Sequence, residues 1–66
     1  VDVVINGESR QVADDADLAA VLAEFGVPER GVAVAVDGAV VPRASWPGTE
    51  LRPGAAIEVL TAVQGG

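Results

Sequence analysis

Val1, Val3 and Ile5 share one face of an alternating segment that stops at Asn6-Gly7, a dipeptide suited to the left-handed angles of a type I′ hairpin turn. This predicts an opening strand over 1–5 and a return strand over 8–12. The apolar period then changes. Leu18, Val21, Leu22 and Phe25 fall at i, i+3, i+4 and i+7, the spacing of one helix face, and that face would cover the hairpin. Val32, Val34 and Val36 alternate with Ala33 and Ala35, which predicts a β-branched strand ending at the turn signal Asp37-Gly38. Positions 39–41 suit a short strand at an edge, because Pro42 has no N–H to give to a central ladder. Positions 43–54 read as irregular, with Pro47-Gly48 and Pro53-Gly54 turns around Trp46 and Leu51, two side chains able to close one end of a small core. In the last segment Ile57, Val59, Thr61 and Val63 alternate with Glu58, Leu60, Ala62 and Gln64, which predicts a strand over 56–63.

The helix carries its own stop signals. Asp17 is placed to cap its start, Asp14 and Asp15 add negative charge near the positive end of its dipole, Gly26 fits the position after its C-cap, and Pro28 blocks continuation. Two strands, a helix and then further strands predict an α+β fold, a β-grasp (ubiquitin-like) roll with a mixed sheet packed on one helix. A right-handed crossover makes the first and last strands parallel neighbours. No repeat or linker interrupts the pattern, so residues 1–66 read as a single β-grasp domain with a flexible Gly-Gly tail at 64–66.

Composition narrows the chemistry. The chain has 66 residues and contains no histidine, cysteine, methionine, tyrosine or lysine; its four basic residues are all arginine. Serine and threonine therefore have no neighbour able to activate them as nucleophiles, and no catalytic group is assigned. The chain is therefore not expected to be an enzyme alone, but a part of a system. The usual nitrogen and sulfur ligands of zinc, iron-sulfur and haem are missing, and Asp14, Asp15 and Asp17 lack the spacing of a calcium loop, so no metal site is expected. A net charge of −6 opposes binding to nucleic acid or anionic lipid and favours basic protein surfaces. The start Val1-Asp2-Val3 shows no secretory pattern and no apolar run approaches membrane-span length, so a cytoplasmic location is expected.

The final residues Gln64-Gly65-Gly66 are the most informative. Glycine has no Cβ, so such a tail can enter a narrow channel in a partner and present a carboxylate there. A frayed end is the plainer reading. If the tail is used, its carboxylate is ionised at neutral pH and a poor electrophile, so activation must come from an ATP-using partner. Without cysteine the chain cannot hold a persulfide, and any sulfur would sit on the terminal carbon of Gly66.

Asn6-Gly7 after the first strand, the 18–25 helix, Val40-Val41-Pro42-Arg43 followed by Trp46, the Gly54 turn, Ile57-Glu58-Val59 and the terminal Gly65-Gly66 together resemble the ThiS family, sulfur carriers of thiamine biosynthesis. The Val-Pro-Arg segment with its tryptophan is the most specific part, while Val1 in place of a starting methionine and Ala55 in place of a polar loop residue are small departures. The resemblance implies adenylation of Gly66 by an enzyme similar to ubiquitin-activating enzymes, conversion to a thiocarboxylate by a sulfurtransferase or cysteine desulfurase relay, and use of that sulfur by thiazole synthase. Gly65 and Gln64 would form the flexible tail; ATP would be used by the partner and no cofactor bound. Carriers serving molybdopterin, tRNA thiolation or amino-acid synthesis share the Gly-Gly end, a role in modifying proteins stays open, and a β-grasp binding module is the alternative of another class.

Outward sheet positions Val4, Ala33, Ala35, Leu60 and Ala62 would form an apolar face, on which Leu60 and Ala62 are candidate docking residues; Leu60 could equally pack under a loop. Arg43 either pairs with a surface acid or meets a partner, and Trp46 is expected to cover the edge of the core.

Overall fold

The structure, a computed structural model, describes residues 1–28 and 30–61. Along the chain run β1 (Asp2–Ile5), β2 (Glu8–Gln11), α1 (Leu18–Glu24), β3 (Val32–Val36), β4 (Ala39–Val40), a 3₁₀ turn (Arg43–Ser45) and β5 (Ala55–Thr61). The five strands form one sheet in the order β2-β1-β5-β3-β4. β1 and β5 are parallel neighbours, with Val3 opposite Ala55 and Ile5 opposite Ile57, and the other pairs are antiparallel. This is the β-grasp roll that the element order predicts. The expected strand over 56–63 begins one residue earlier; positions 62–66, among them Ala62, Gln64, Gly65 and Gly66, lie outside the described residues.

Both hairpin turns use left-handed backbone at their two central residues. Asn6 and Gly7 have φ of 49° and 84°, and Asp37 and Gly38 have 51° and 86°, the type I′ pattern whose twist matches that of the flanking strands. Asn and Asp tolerate this region better than other side-chain residues, and glycine has no Cβ to clash.

One sheet face packs on α1. Val3, Val34 and Ile57 from the strands meet Leu18, Val21 and Leu22 from the helix, all essentially without solvent exposure. Each such side chain contributes about 1.5–3 kcal/mol by leaving water. Phe25 is a correction to the helix pattern. It is the C-cap rather than a core position and keeps 36% of its surface exposed, with the Arg10 guanidinium carbon 5.7 Å from its ring centre.

The stretch over 43–54 is more ordered than its turn-rich sequence suggests. Pro42 caps the 3₁₀ turn, whose closing bonds run from Ser45 N–H to Pro42 C=O and from Trp46 N–H to Arg43 C=O. The segment after it serves the start of α1. Leu18 N–H donates to Thr49 C=O at 2.9 Å and Ala19 N–H to Trp46 C=O at 3.3 Å, while Ala20 N–H donates to the Asp17 carboxylate at 2.9 Å. Donors that a helix start leaves unpaired are thus met by loop carbonyls and one capping side chain.

The second Asp17 oxygen accepts from Gly48 N–H at 3.0 Å, so a single carboxylate ties helix and loop together. These two backbone donors, Gly48 first and Ala20 second, hold the Asp17 carboxyl below its ordinary value of 3.8. A depressed folded-state value means that the stabilisation is complete above the unfolded pKa and is lost as pH falls through the folded one. Thermal unfolding followed from neutral to strongly acid pH should show Tm falling on acidification, with a smaller acid-side fall in Asp17→Asn. That variant should also melt a few degrees lower at neutral pH, because its amide turns a donor toward the Gly48 N–H.

Candidate functional site

The expected carrier residue, Gly66, lies outside the described residues, and β5 is the described element that precedes it in the chain, so the end of that strand is the nearest geometry the structure gives. Up to Ile57, β5 has main-chain neighbours on both flanks; beyond it only β3 continues, with Val34 opposite Val59 and Val32 opposite Thr61. On the vacated flank stands Asn6. Its N–H donates to Ile57 C=O at 2.9 Å, its side-chain oxygen accepts from Val59 N–H at 2.8 Å, and its side-chain nitrogen donates to Val59 C=O at 3.3 Å. Asp37 grips the other end of β5 in a similar way. Its N–H donates to Ala56 C=O at 2.8 Å, and its carboxylate accepts from Ala56 N–H at 3.0 Å.

The sheet face turned away from α1 is open. Register places Val4, Ala56, Leu60, Ala33, Ala35 and Val40 on it, with Leu60 68% and Val40 73% exposed, Ala33 and Ala56 exposed, and Val4 and Ala35 half-buried. Asp2 and Glu58, both exposed, carry negative charge beside this apolar surface. Leu60 therefore does not pack under a loop. Val40 was not among the expected docking positions; its signal in sequence is the two-residue turn at Asp37-Gly38, which fixes Val40 opposite Ala35.

Arg43 lies elsewhere. It is exposed and lines a groove of about 350 Å³ on the helix side with Ala19, Leu22, Ala23, Trp46 and Pro47. The fold does not bring it together with Leu60. Trp46 is 5% exposed, belongs to the core, and donates its indole N–H to Val41 C=O at 3.0 Å. It closes the core edge and pins Val41, whose own N–H donates to Val34 C=O.

The contact that pattern reading missed is the one Asn6 makes with the end of β5. The turn propensity of Asn6 is legible locally, but its partner Val59 is 53 positions away. No spacing rule connects them.

The model of the ThiS family matches residues 3–66 of this chain. The crystal structure of the thiamine biosynthesis protein ThiS from Geobacter metallireducens is similar over the full length of both chains, with 26% sequence identity and a TM-score of 0.84. An NMR solution structure of a thiamine biosynthesis protein from the same organism matches with 26% identity and a TM-score of 0.78, covering 100% of this chain and 88% of that one. No curated protein matches significantly. Among the described residues no helix is long and apolar enough to cross a membrane.

The role of Trp46 can be separated from that of the tail. Trp46→Phe keeps an aromatic ring but leaves the Val41 carbonyl without its donor, and should lower the free energy of unfolding by about 1–3 kcal/mol. Urea denaturation followed by far-ultraviolet circular dichroism measures this.

Proposed function

The chain belongs to the ThiS family, and on that premise we propose that it is a sulfur carrier for thiazole formation in thiamine biosynthesis, with Gly66 as the carrier residue. The observation that carries the reading is the family match, which runs through to the Gly-Gly end. The amino-acid inventory agrees with it. With no histidine, cysteine or lysine, the chain has little to perform group transfer with and depends on partners.

The chemistry starts from the inertness of a carboxylate. A Gly66 oxygen attacks the α-phosphorus of ATP on an adenylating enzyme, pyrophosphate leaves, and the carboxyl becomes an acyl adenylate. The outer sulfur of a persulfide on the sulfurtransferase relay attacks the acyl carbon and AMP leaves. A thiol then cleaves the resulting acyl disulfide, giving the thiocarboxylate and a disulfide. Thiazole synthase consumes the thiocarboxylate. Gly65 and Gln64 supply the segment that reaches into each partner's channel.

Docking to the adenylating enzyme uses the open sheet face. Leu60 and Val40 are large, exposed and apolar, Asp2 and Glu58 lie beside them, and the whole chain carries −6, which suits an apolar partner surface with a basic surround. Ala62 would extend this face, whereas Arg43, on the helix side, would belong to a separate contact.

Intact-mass spectrometry after incubation with ATP, cysteine, and the adenylating enzyme and desulfurase of the same genome should show exchange of one oxygen for one sulfur. A chain lacking Gly66 should show none. Addition to both chains, or to neither with the enzymes proven active on another carrier, removes the carrier reading. In the same system Leu60→Arg should raise the KM for the carrier by about tenfold, the effect of roughly 1.4 kcal/mol of lost docking energy. Its Tm should stay within a few degrees of the unaltered chain, since Leu60 is outside the core.

A further inference from the structure

We infer that Asn6 is a positioning residue for the reaction at Gly66, acting through Val59 to fix the direction in which the last strand delivers the tail. The inference rests on the proposed carrier role. In a parallel ladder, slanted bonds succeed one another evenly along both strands, and Asn6 N–H to Ile57 C=O is the last such bond that β1 makes. The next two would come from main-chain groups continuing β1. The hairpin turn takes that main chain away, because Asn6 at φ 49° already leads into β2.

The Asn6 carboxamide takes its place. One amide supplies an acceptor at 2.8 Å and a donor at 3.3 Å to the N–H and C=O of Val59, as a strand residue would. Both polar groups of Val59 point to this flank and not toward β3, so the carboxamide is their partner in the fold. β5 is thereby held on two sides one step beyond the end of β1. A strand held on one side twists more freely, and a change of about 10° in its direction at Val59 displaces a point roughly 20 Å further along the chain by roughly 4 Å. For a tail that must place one carboxylate oxygen in line with a phosphorus atom, that displacement is large.

Asp37 supplies an internal control. It has the same left-handed turn position and also grips β5, through one main-chain and one side-chain bond, but at Ala56, the end remote from the tail. Loss of either grip loosens the same strand. Only loss of the Asn6 grip alters the root of the tail.

The experiment compares Asn6→Gly, Asn6→Asp and Asp37→Gly with the unaltered chain. Glycine accepts the left-handed angles without the side chain, and aspartate keeps the acceptor while placing an oxygen against the Val59 carbonyl. Steady-state adenylation by the enzyme of the same genome should show kcat for Asn6→Gly reduced about tenfold with KM within about twofold, the sign of misplacement rather than weaker docking. Asn6→Asp should fall between. Asp37→Gly should leave kcat unchanged even where its Tm loss equals that of Asn6→Gly. Hydrogen exchange read by NMR should show the Val59 amide losing protection in Asn6→Gly while the Leu22 and Val34 amides keep theirs. Equal kcat in Asn6→Gly and the unaltered chain, or an equal fall in Asp37→Gly, overturns the positioning role and leaves the carrier reading intact. Failure of the unaltered chain to be adenylated, with the enzyme active on another carrier, overturns the carrier reading and this role with it, while the exchange data still decide whether the grip exists.

Discussion

The whole domain depends on holding β5 as its central strand. Its neighbours approach from opposite chain directions, β1 parallel and β3 antiparallel, and its inward side chains Ala55 and Ile57 lie in the core against the helix. A side-chain period of two makes the register all or nothing, because a shift by one would put Glu58 and Leu60 into the core and Ile57 into water. Two left-handed turn residues enforce that register. Asn6 and Asp37 each make one main-chain bond to β5 and add side-chain bonds to its backbone, so the turns that reverse β1 and β3 also lock the strand between them.

The second half of the fold solves a problem of helix ends. A helix of seven residues cannot persist in water on its own and leaves many of its N–H groups unpaired. The segment around Trp46 and Thr49 answers with carbonyls, and Asp17 answers with both oxygens, one to the helix and one back to the loop. A long connection that would otherwise be entropically costly is in this way made part of the core, with Trp46 and Leu51 buried beneath it.

The two faces of the sheet then divide the work. The helix side is closed by packing. The outer side keeps Val40 and Leu60 exposed, with Asp2 and Glu58 beside them. What this face offers is an apolar surface carried on a central strand that is held from both flanks up to Ile57 and by β3 beyond it. In a chain of the ThiS family, the division leaves one side of the sheet for stability and the other open to solvent.

Sequence by itself determined the strands and the helix to within a residue or so of their described ends, because the forces that set them are local. Alternation placed β1, β3 and β5, the i, i+3, i+4 spacing placed α1, Asp17 and Gly26 bounded it, and Asn6-Gly7 and Asp37-Gly38 made the turns. Sequence also bounded the chemistry, since an inventory without histidine, cysteine or lysine lacks the usual activating side chains. Other features were decided only by the tertiary structure. Phe25 has the spacing of a core residue but lies at the helix C-cap, partly exposed, with Arg10 beside its ring; Val40 is exposed because of its register with Ala35; and positions 43–54 gain order from bonds to a helix about thirty residues earlier. The grip of Asn6 on Val59 belongs to the same class. Hydrogen bonds are short-ranged in space but indifferent to separation along the chain, so a carboxamide at position 6 and a strand at position 59 become partners only after the sheet has formed.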